Sequence, residues 1–131
     1  MNSKSHFTVL IILILLLLPA IHADSEKIMI HQLLEALEKS EAIFFKDSIP
    51  YSSHEGRIHI ESYWIRSGIT VTTVEDFIEK IATKDAITGH YYYLKLETGE
   101  KIMLSEWLKN AWEKAKLEMQ NSKKKKKNRK K

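Results

Sequence analysis

The chain has 131 residues, the size of a single domain, and contains no cysteine, which excludes disulfides, thiolate metal sites and cysteine nucleophiles. Its net charge of +4 conceals two stretches of opposite sign. Residues 24–121 hold 12 basic against 17 acidic residues, and residues 122–131 carry eight positive charges.

The first 23 residues have the pattern of a signal peptide. Lys4 is positively charged, residues 7–18 are apolar apart from one threonine, a proline follows, and Ala23 is a small residue suited to cleavage. A membrane-spanning helix needs about 20 apolar residues, and this run is shorter. We therefore expect cleavage before Asp24, with an uncleaved anchor as the alternative and no transmembrane segment in the mature chain.

Export is the expected localisation. The chain has no Asn-x-Ser/Thr sequon, which favours a bacterial envelope over a eukaryotic secretory route. The periplasm is the preferred compartment, and secretion is the alternative.

From Asp24 onward, the pattern predicts helix, hairpin, helix, helix, hairpin and helix. A first amphipathic helix is predicted over residues 25–40. Residues 42–45 and 49–51 predict a hairpin in which Pro50 marks an edge strand. The apolar stripe of the first helix contains Ile30, Leu33, Leu34 and Leu37.

The next two helices carry recognisable capping residues. Ser52 and Glu55 have capping-box spacing, and Gly68 is suited to end the helix they begin. Thr73 is the predicted N-cap of a central helix, and the strand that follows alternates buried Tyr92 with outward residues. The apolar stripe of the central helix contains Val74, Phe77, Ile78, Ile81 and Ala82.

A second hairpin strand at 101–104 leads into a last helix for which Ser105 is the predicted cap. Its apolar face contains Leu108, Ala111, Trp112, Ala115 and Met119. Together these elements predict an α+β fold: one small domain over residues 24–121, with about four helices packed on short antiparallel β-hairpins.

Residues 122–131 form a polybasic tail. It contains no apolar residue, and we predict that it is solvated and disordered because it has nothing to bury against the entropy of ordering. The charges make the tail a candidate for binding an anionic surface. Its basic residues are Lys123, Lys124, Lys125, Lys126, Lys127, Arg129, Lys130 and Lys131.

The motif TVEDFIEKIAT at residues 73–83, followed by Thr88-Gly89 and an aromatic strand, resembles the YfeK-like family of exported bacterial proteins of unknown function. The His59-Ile60 pair and the order of the upstream elements also resemble that family. The resemblance covers most of residues 28–108. It implies an exported single domain and does not indicate a catalysed reaction. Two departures are the His90-Tyr91 pair, where members tend to have Lys-Pro, and the lysine tail.

The spacing of the histidines and carboxylates decides which of them are candidate catalytic residues. His54 and His59 are five residues apart and lie about 140° apart on a helix, so they do not form the zinc motif of metalloproteases. Glu55 shares a helix face with His59, and a small hydrolase that uses His59 with Glu55 or Glu75 is the alternative function. No nucleophile or second carboxylate supports it, so we expect no enzyme, cofactor or metal.

Three aromatic residues are candidates for binding a partner. Tyr91 and Tyr93 share the outer face of their predicted strand, and Trp107 lies at the edge of the last helix. We therefore expect a non-enzymatic interaction module that binds an unknown protein or envelope component. Specific nucleic-acid binding by the tail is disfavoured, because the export signal and the acidic domain both oppose it.

Overall fold

The computed structural model describes residues 22–130, so most of the predicted signal peptide, residues 1–21, and Lys131 lie outside the described residues. The described part forms four helices and one four-stranded antiparallel sheet, which confirms the α+β fold and the predicted order. The elements are α1 (22–39), β1 (Ile43–Lys46), β2 (Ile49–Tyr51), α2 (Ser53–Ser67), α3 (Val74–Lys80), β3 (Tyr93–Lys95), β4 (Lys101–Met103) and α4 (Leu104–Arg129).

The two hairpins join into one sheet with the strand order β2-β1-β3-β4. Pro50 lies on the edge strand β2, as its missing N–H predicts. Phe44 pairs with Leu94 in the centre, and both are buried beneath the helices, whereas Phe45 and Tyr93 pair on the opposite face. The sheet therefore has one helix-covered face and one face open to solvent.

The predicted central helix is the centre of the core. Thr73 is its N-cap and accepts the Asp76 N–H at 3.0 Å. The helix ends at Lys80, earlier than the apolar stripe, but Ile81 and Ala82 remain fully buried beyond its end. All five predicted stripe residues are at most 1% exposed. The stripe prediction is confirmed.

Helix α2 has the predicted caps. Ser52 and Glu55 form a capping box, and Gly68 ends the helix in the left-handed conformation at φ 68°. Gly56 lies in the helix interior, where a Cβ would stand 2.5 Å from Phe44 Cγ. A glycine is therefore required at this position by the close approach of α2 to the sheet.

We expect Gly56→Ala to destabilise the protein by about 1–3 kcal/mol, the usual cost of overpacking a core. The direction of the change in stability is informative. At a helix position with free space around it, alanine would instead stabilise the helix by about 1 kcal/mol relative to glycine. The measurement is the urea midpoint, with Asn110→Ala, at an exposed position of α4, as the control. A Gly56→Ala variant as stable as the original would show that α2 does not pack this closely on Phe44.

Helix α4 departs from the sequence prediction at both ends. Its N-cap is Met103, two residues before the predicted cap, so the predicted capping role of Ser105 is wrong; the helix begins at Leu104, and Ser105 is buried in its first turn. Met119, predicted on the apolar face, is 38% exposed. The helix also continues through Arg129, where the sequence predicts disorder. Lysine and arginine are good helix formers, and extending a nucleated helix costs little.

Within residues 22–130, no helix is both long and apolar enough to cross a membrane.

Candidate functional site

The C-terminal part of α4 projects from the domain. Every side chain from Leu117 to Lys130 is exposed, and the 13 helical residues from Leu117 to Arg129 extend about 20 Å. The basic end, residues 123–130, contains five consecutive lysines followed by Arg129 and Lys130. Since successive residues are rotated by about 100°, these lysines present positive charge on all sides of the helix.

The basic end has no internal counter-charge. No ion pair among residues 22–130 involves any of its lysines or Arg129, whereas Lys116, nearer the domain, contacts Glu113 at 2.6 Å and Glu75 at 3.9 Å. The stretch from 24 to 121 has a net charge of −5. The molecule therefore has an acidic body and a separate basic projection.

The structure brings together two of the three predicted partner-binding aromatics. Tyr91 and Tyr93 line a cavity of about 400 Å³ on the open side of the sheet, and Tyr91 is 49% exposed. Lys101 Nζ lies 4.6 Å from the centre of the Tyr93 ring. Trp107 is elsewhere, because it lines a groove between α1 and α4 with Leu33. The three rings do not form a common patch.

The carboxylates suggested as partners of His59 have other roles. Glu55 accepts the Ser52 N–H at 2.8 Å, and this capping interaction lowers the pKa of Glu55. Glu75 accepts Trp112 Nε1–H at 2.7 Å, which lowers the pKa of Glu75. Within the described chain, no hydrogen bond or ion pair joins His59 to either of them. The predicted catalytic pairs are not formed.

His59 instead belongs to a cluster that the sequence analysis missed. Its Nε2 lies 3.0 Å from the Tyr92 hydroxyl and 3.9 Å from Asp85 Oδ2. The Tyr92 hydroxyl is also 3.4 Å from Asp85 Oδ2, and Lys46 Nζ is 3.6 Å from the same oxygen. Asp85 is 5% exposed and Tyr92 is 1% exposed. The His59 cluster consists of His59, Tyr92, Asp85 and Lys46.

The surroundings fix the charge states in the His59 cluster. Burial alone would raise the pKa of Asp85, but the backbone N–H groups of Thr88 and Ile87, both at 2.9 Å, and Lys46 lower that pKa overall. Burial, and then the charge of Lys46, lower the pKa of His59. Burial raises the pKa of Tyr92. At neutral pH the cluster therefore contains a charged Asp85, a neutral His59 and a protonated Tyr92.

Three other histidines among residues 22–130 are paired with surface carboxylates. His54 Nδ1 lies 2.9 Å from Glu38, His31 Nδ1 lies 3.3 Å from Glu61, and His90 Nδ1 lies 2.7 Å from Asp47. Arg57 links the first two pairs, since it contacts Glu38 at 2.7 Å and Glu61 at 3.4 Å. No group of three or more His, Asp or Glu side chains with metal-ligand geometry occurs among residues 22–130.

Comparison with known proteins gives a family. A family model described as a family of unknown function (DUF5329) matches residues 24–116. The match ends inside α4, before the basic end. No match was found among curated proteins or among solved structures.

Proposed function

The chain belongs to DUF5329, a family of unknown function, and from that premise we propose that it is a small non-enzymatic interaction module that attaches to an anionic surface. The observation that carries the proposal is the basic end of α4, a helical projection whose charges have no carboxylate partner within residues 22–130. Family membership supplies no reaction, and within residues 22–130 neither carboxylate suggested for a hydrolase is hydrogen-bonded or ion-paired with His59.

The binding free energy of such attachment is the sum of small contributions from many basic side chains. Near an anionic lipid surface, each lysine or arginine contributes on the order of 1 kcal/mol, so several engaged side chains suffice without a folded pocket. The basic end carries charge on all sides, and its tip lies about 20 Å from the last packed turn, so it can approach a surface while the acidic body stays away. Length and charge separation both favour attachment.

The test is co-sedimentation of the chain from Asp24 with vesicles of phosphatidylglycerol and phosphatidylcholine at low salt. We expect the protein to pellet with these vesicles and to remain in solution with phosphatidylcholine alone, because the attraction is electrostatic. Deleting residues 123–131 should abolish pelleting and leave the fold intact. Equal pelleting with both vesicle types, or binding to a DNA duplex but not to vesicles, would overturn the proposal.

The open face of the sheet is proposed as a second contact surface, for a protein or envelope component. Tyr91 and Tyr93 lie there beside Lys101 and His90, and exposed tyrosines are enriched at protein interfaces. A Tyr91→Ala, Tyr93→Ala variant should still pellet with anionic vesicles, since neither residue belongs to α4. Loss of pelleting in that variant would show that the basic end is not a separate attachment surface.

We also propose that the chain is exported, with the periplasm preferred over secretion. The signal-like pattern of the first 23 residues supports this location, as does the resemblance of residues 73–83 to YfeK-like exported bacterial proteins. An envelope location would place the basic end close to anionic lipid.

Mass spectrometry of the exported protein is expected to find Asp24 as the first residue, because Ala23 supplies the small side chain that a signal peptidase needs. The control is an Ala23→Arg variant, which should accumulate uncleaved. A protein that retains Met1 and sediments with membranes would contradict cleavage and establish an anchor.

A further inference from the structure

A cavity of about 370 Å³ opens beside the His59 cluster, between the first hairpin and α2. Its size is that of a small-molecule site. One wall is apolar and includes Phe44, Tyr51 and Ile58. The side chains of Lys46, His59 and Arg66 also line it, so cationic and hydrogen-bonding groups face an apolar wall.

Two cationic side chains, Lys46 and Arg66, line the cavity together with one carboxylate, Glu55. Lys46 contacts Asp85 at 3.6 Å and Asp47 at 3.7 Å, and these ion pairs hold its ammonium group in position. Arg66 donates Nε–H to the Ser62 carbonyl at 3.2 Å, and its terminal nitrogens have no hydrogen-bond partner in the described chain. A guanidinium held in this way presents two donors to a carboxylate or phosphate. Glu55 also lines the cavity, but its carboxylate is engaged by Ser52.

The His59 cluster supplies an oriented acceptor. Tyr92 has one hydroxyl proton, and the charged Asp85 is its natural acceptor, so His59 donates Nε2–H to the Tyr92 oxygen. The neutral ring then carries a lone pair on Nδ1, which has no hydrogen-bond partner among residues 22–130. A buried carboxylate and tyrosine thus fix one tautomer of a histidine that lines a cavity.

We propose that this cavity binds a small hydroxylated organic anion, such as a sugar phosphate or a sugar acid. The anionic group contacts Arg66 and Lys46, a ligand hydroxyl donates to Nδ1 of His59, and the apolar face of the sugar ring packs on Tyr51. Each of the three ligand features has a matching group in the cavity. The site is separate from the basic end of α4 and independent of the proposed attachment.

The test is titration of the ¹⁵N-labelled chain from Asp24 with glucose 6-phosphate and, separately, with glucuronate, followed by NMR. We expect saturable shifts centred on residues 46, 59 and 66 at ligand concentrations up to about 10 mM, well above a dissociation constant of about 1 mM for a weak ligand. Glucose lacks the anionic group, and inorganic phosphate lacks the sugar ring with its hydroxyls and apolar face, so both should bind more weakly.

Two variants assign the contacts. Arg66→Gln should weaken glucose 6-phosphate binding about ten-fold, the usual effect of losing a charge-assisted hydrogen bond, whereas Arg129→Gln, a matched change on the basic end, should not alter it. His59→Phe keeps an aromatic ring against Phe44 and Tyr92, so it should weaken glucose 6-phosphate binding but not phosphate binding.

Three outcomes would overturn the proposal. The first is that neither glucose 6-phosphate nor glucuronate produces saturable shifts. The second is a set of shifts confined to residues 123–130, which would show charge attraction to the basic end alone. The third is equal binding by Arg66→Gln and the unchanged chain, with the urea midpoint showing that both are folded.

Discussion

The Phe77→Ala variant is expected to lose on the order of 3–5 kcal/mol of folding free energy, the usual cost of removing a buried phenylalanine side chain. Phe77 is 0% exposed, and its ring meets Trp64 edge-to-face with the ring centres 5.1 Å apart. Because small domains are stable by only about 5–15 kcal/mol, this loss would remove a large share of the stability.

The measurement is the midpoint of urea-induced unfolding, recorded by circular dichroism and by tryptophan fluorescence. Ile87→Ala is the control, because Ile87 is 94% exposed and its removal should change stability by less than about 0.5 kcal/mol. If Phe77→Ala and Ile87→Ala have the same midpoint, α3 is not the centre of the core.

The second large effect concerns the basic end. Replacing Lys123–Lys127 with glutamine removes five charges. At about 1 kcal/mol each, the loss is about 5 kcal/mol, so the affinity for anionic vesicles should fall on the order of a thousand- to ten-thousand-fold. Glutamine is as good a helix former as lysine, so α4 should keep its helical content. This variant, called the tail variant, therefore tests whether vesicle binding depends on the lysine charges or only on the presence of the helix.

A matched domain variant controls for net charge. It replaces five exposed lysines outside the basic end with glutamine and therefore has the same net charge as the tail variant, but it keeps the basic end. We expect it to bind anionic vesicles as the unchanged chain does, or slightly less. The five lysines are Lys27, Lys39, Lys84, Lys95 and Lys109.

The sequence correctly predicted those structural features that depend on residues close together in the chain. The capping residues Ser52 and Thr73 act within four residues of their own position, and the stripe around Phe77 is a local helical period. The edge position of Pro50 follows from its missing N–H. These predictions succeeded because the deciding interactions lie within one or two turns of the chain.

The His59 cluster was not predictable in this way. Lys46 comes from β1, His59 from α2, and Asp85 from the loop after α3, so only the packing of α2 on the sheet brings them together. Glu55 was the natural partner by helical spacing, but the N-terminus of α2 requires its carboxylate as a cap. A local pairing rule therefore selected the wrong carboxylate.

The tail was mispredicted for a different reason. Residues 122–131 contain no apolar side chain, and an isolated segment of that composition would be disordered. In the folded chain, Leu108 and Trp112 anchor α4, and the following residues extend a helix that already exists. Basic residues also suit the C-terminal end of a helix, where the dipole favours positive charge.

The most direct test of the account is vesicle co-sedimentation of the unchanged chain, the tail variant and the domain variant across a salt series. The Debye length falls from about 10 Å at 0.1 M salt to about 3 Å at 1 M, so electrostatic attachment must weaken steeply over that range. We predict that the unchanged chain and the domain variant pellet at low salt and are released by 1 M salt, while the tail variant stays in solution throughout. If the tail and domain variants pellet alike at low salt, the basic end of α4 is not the attachment surface.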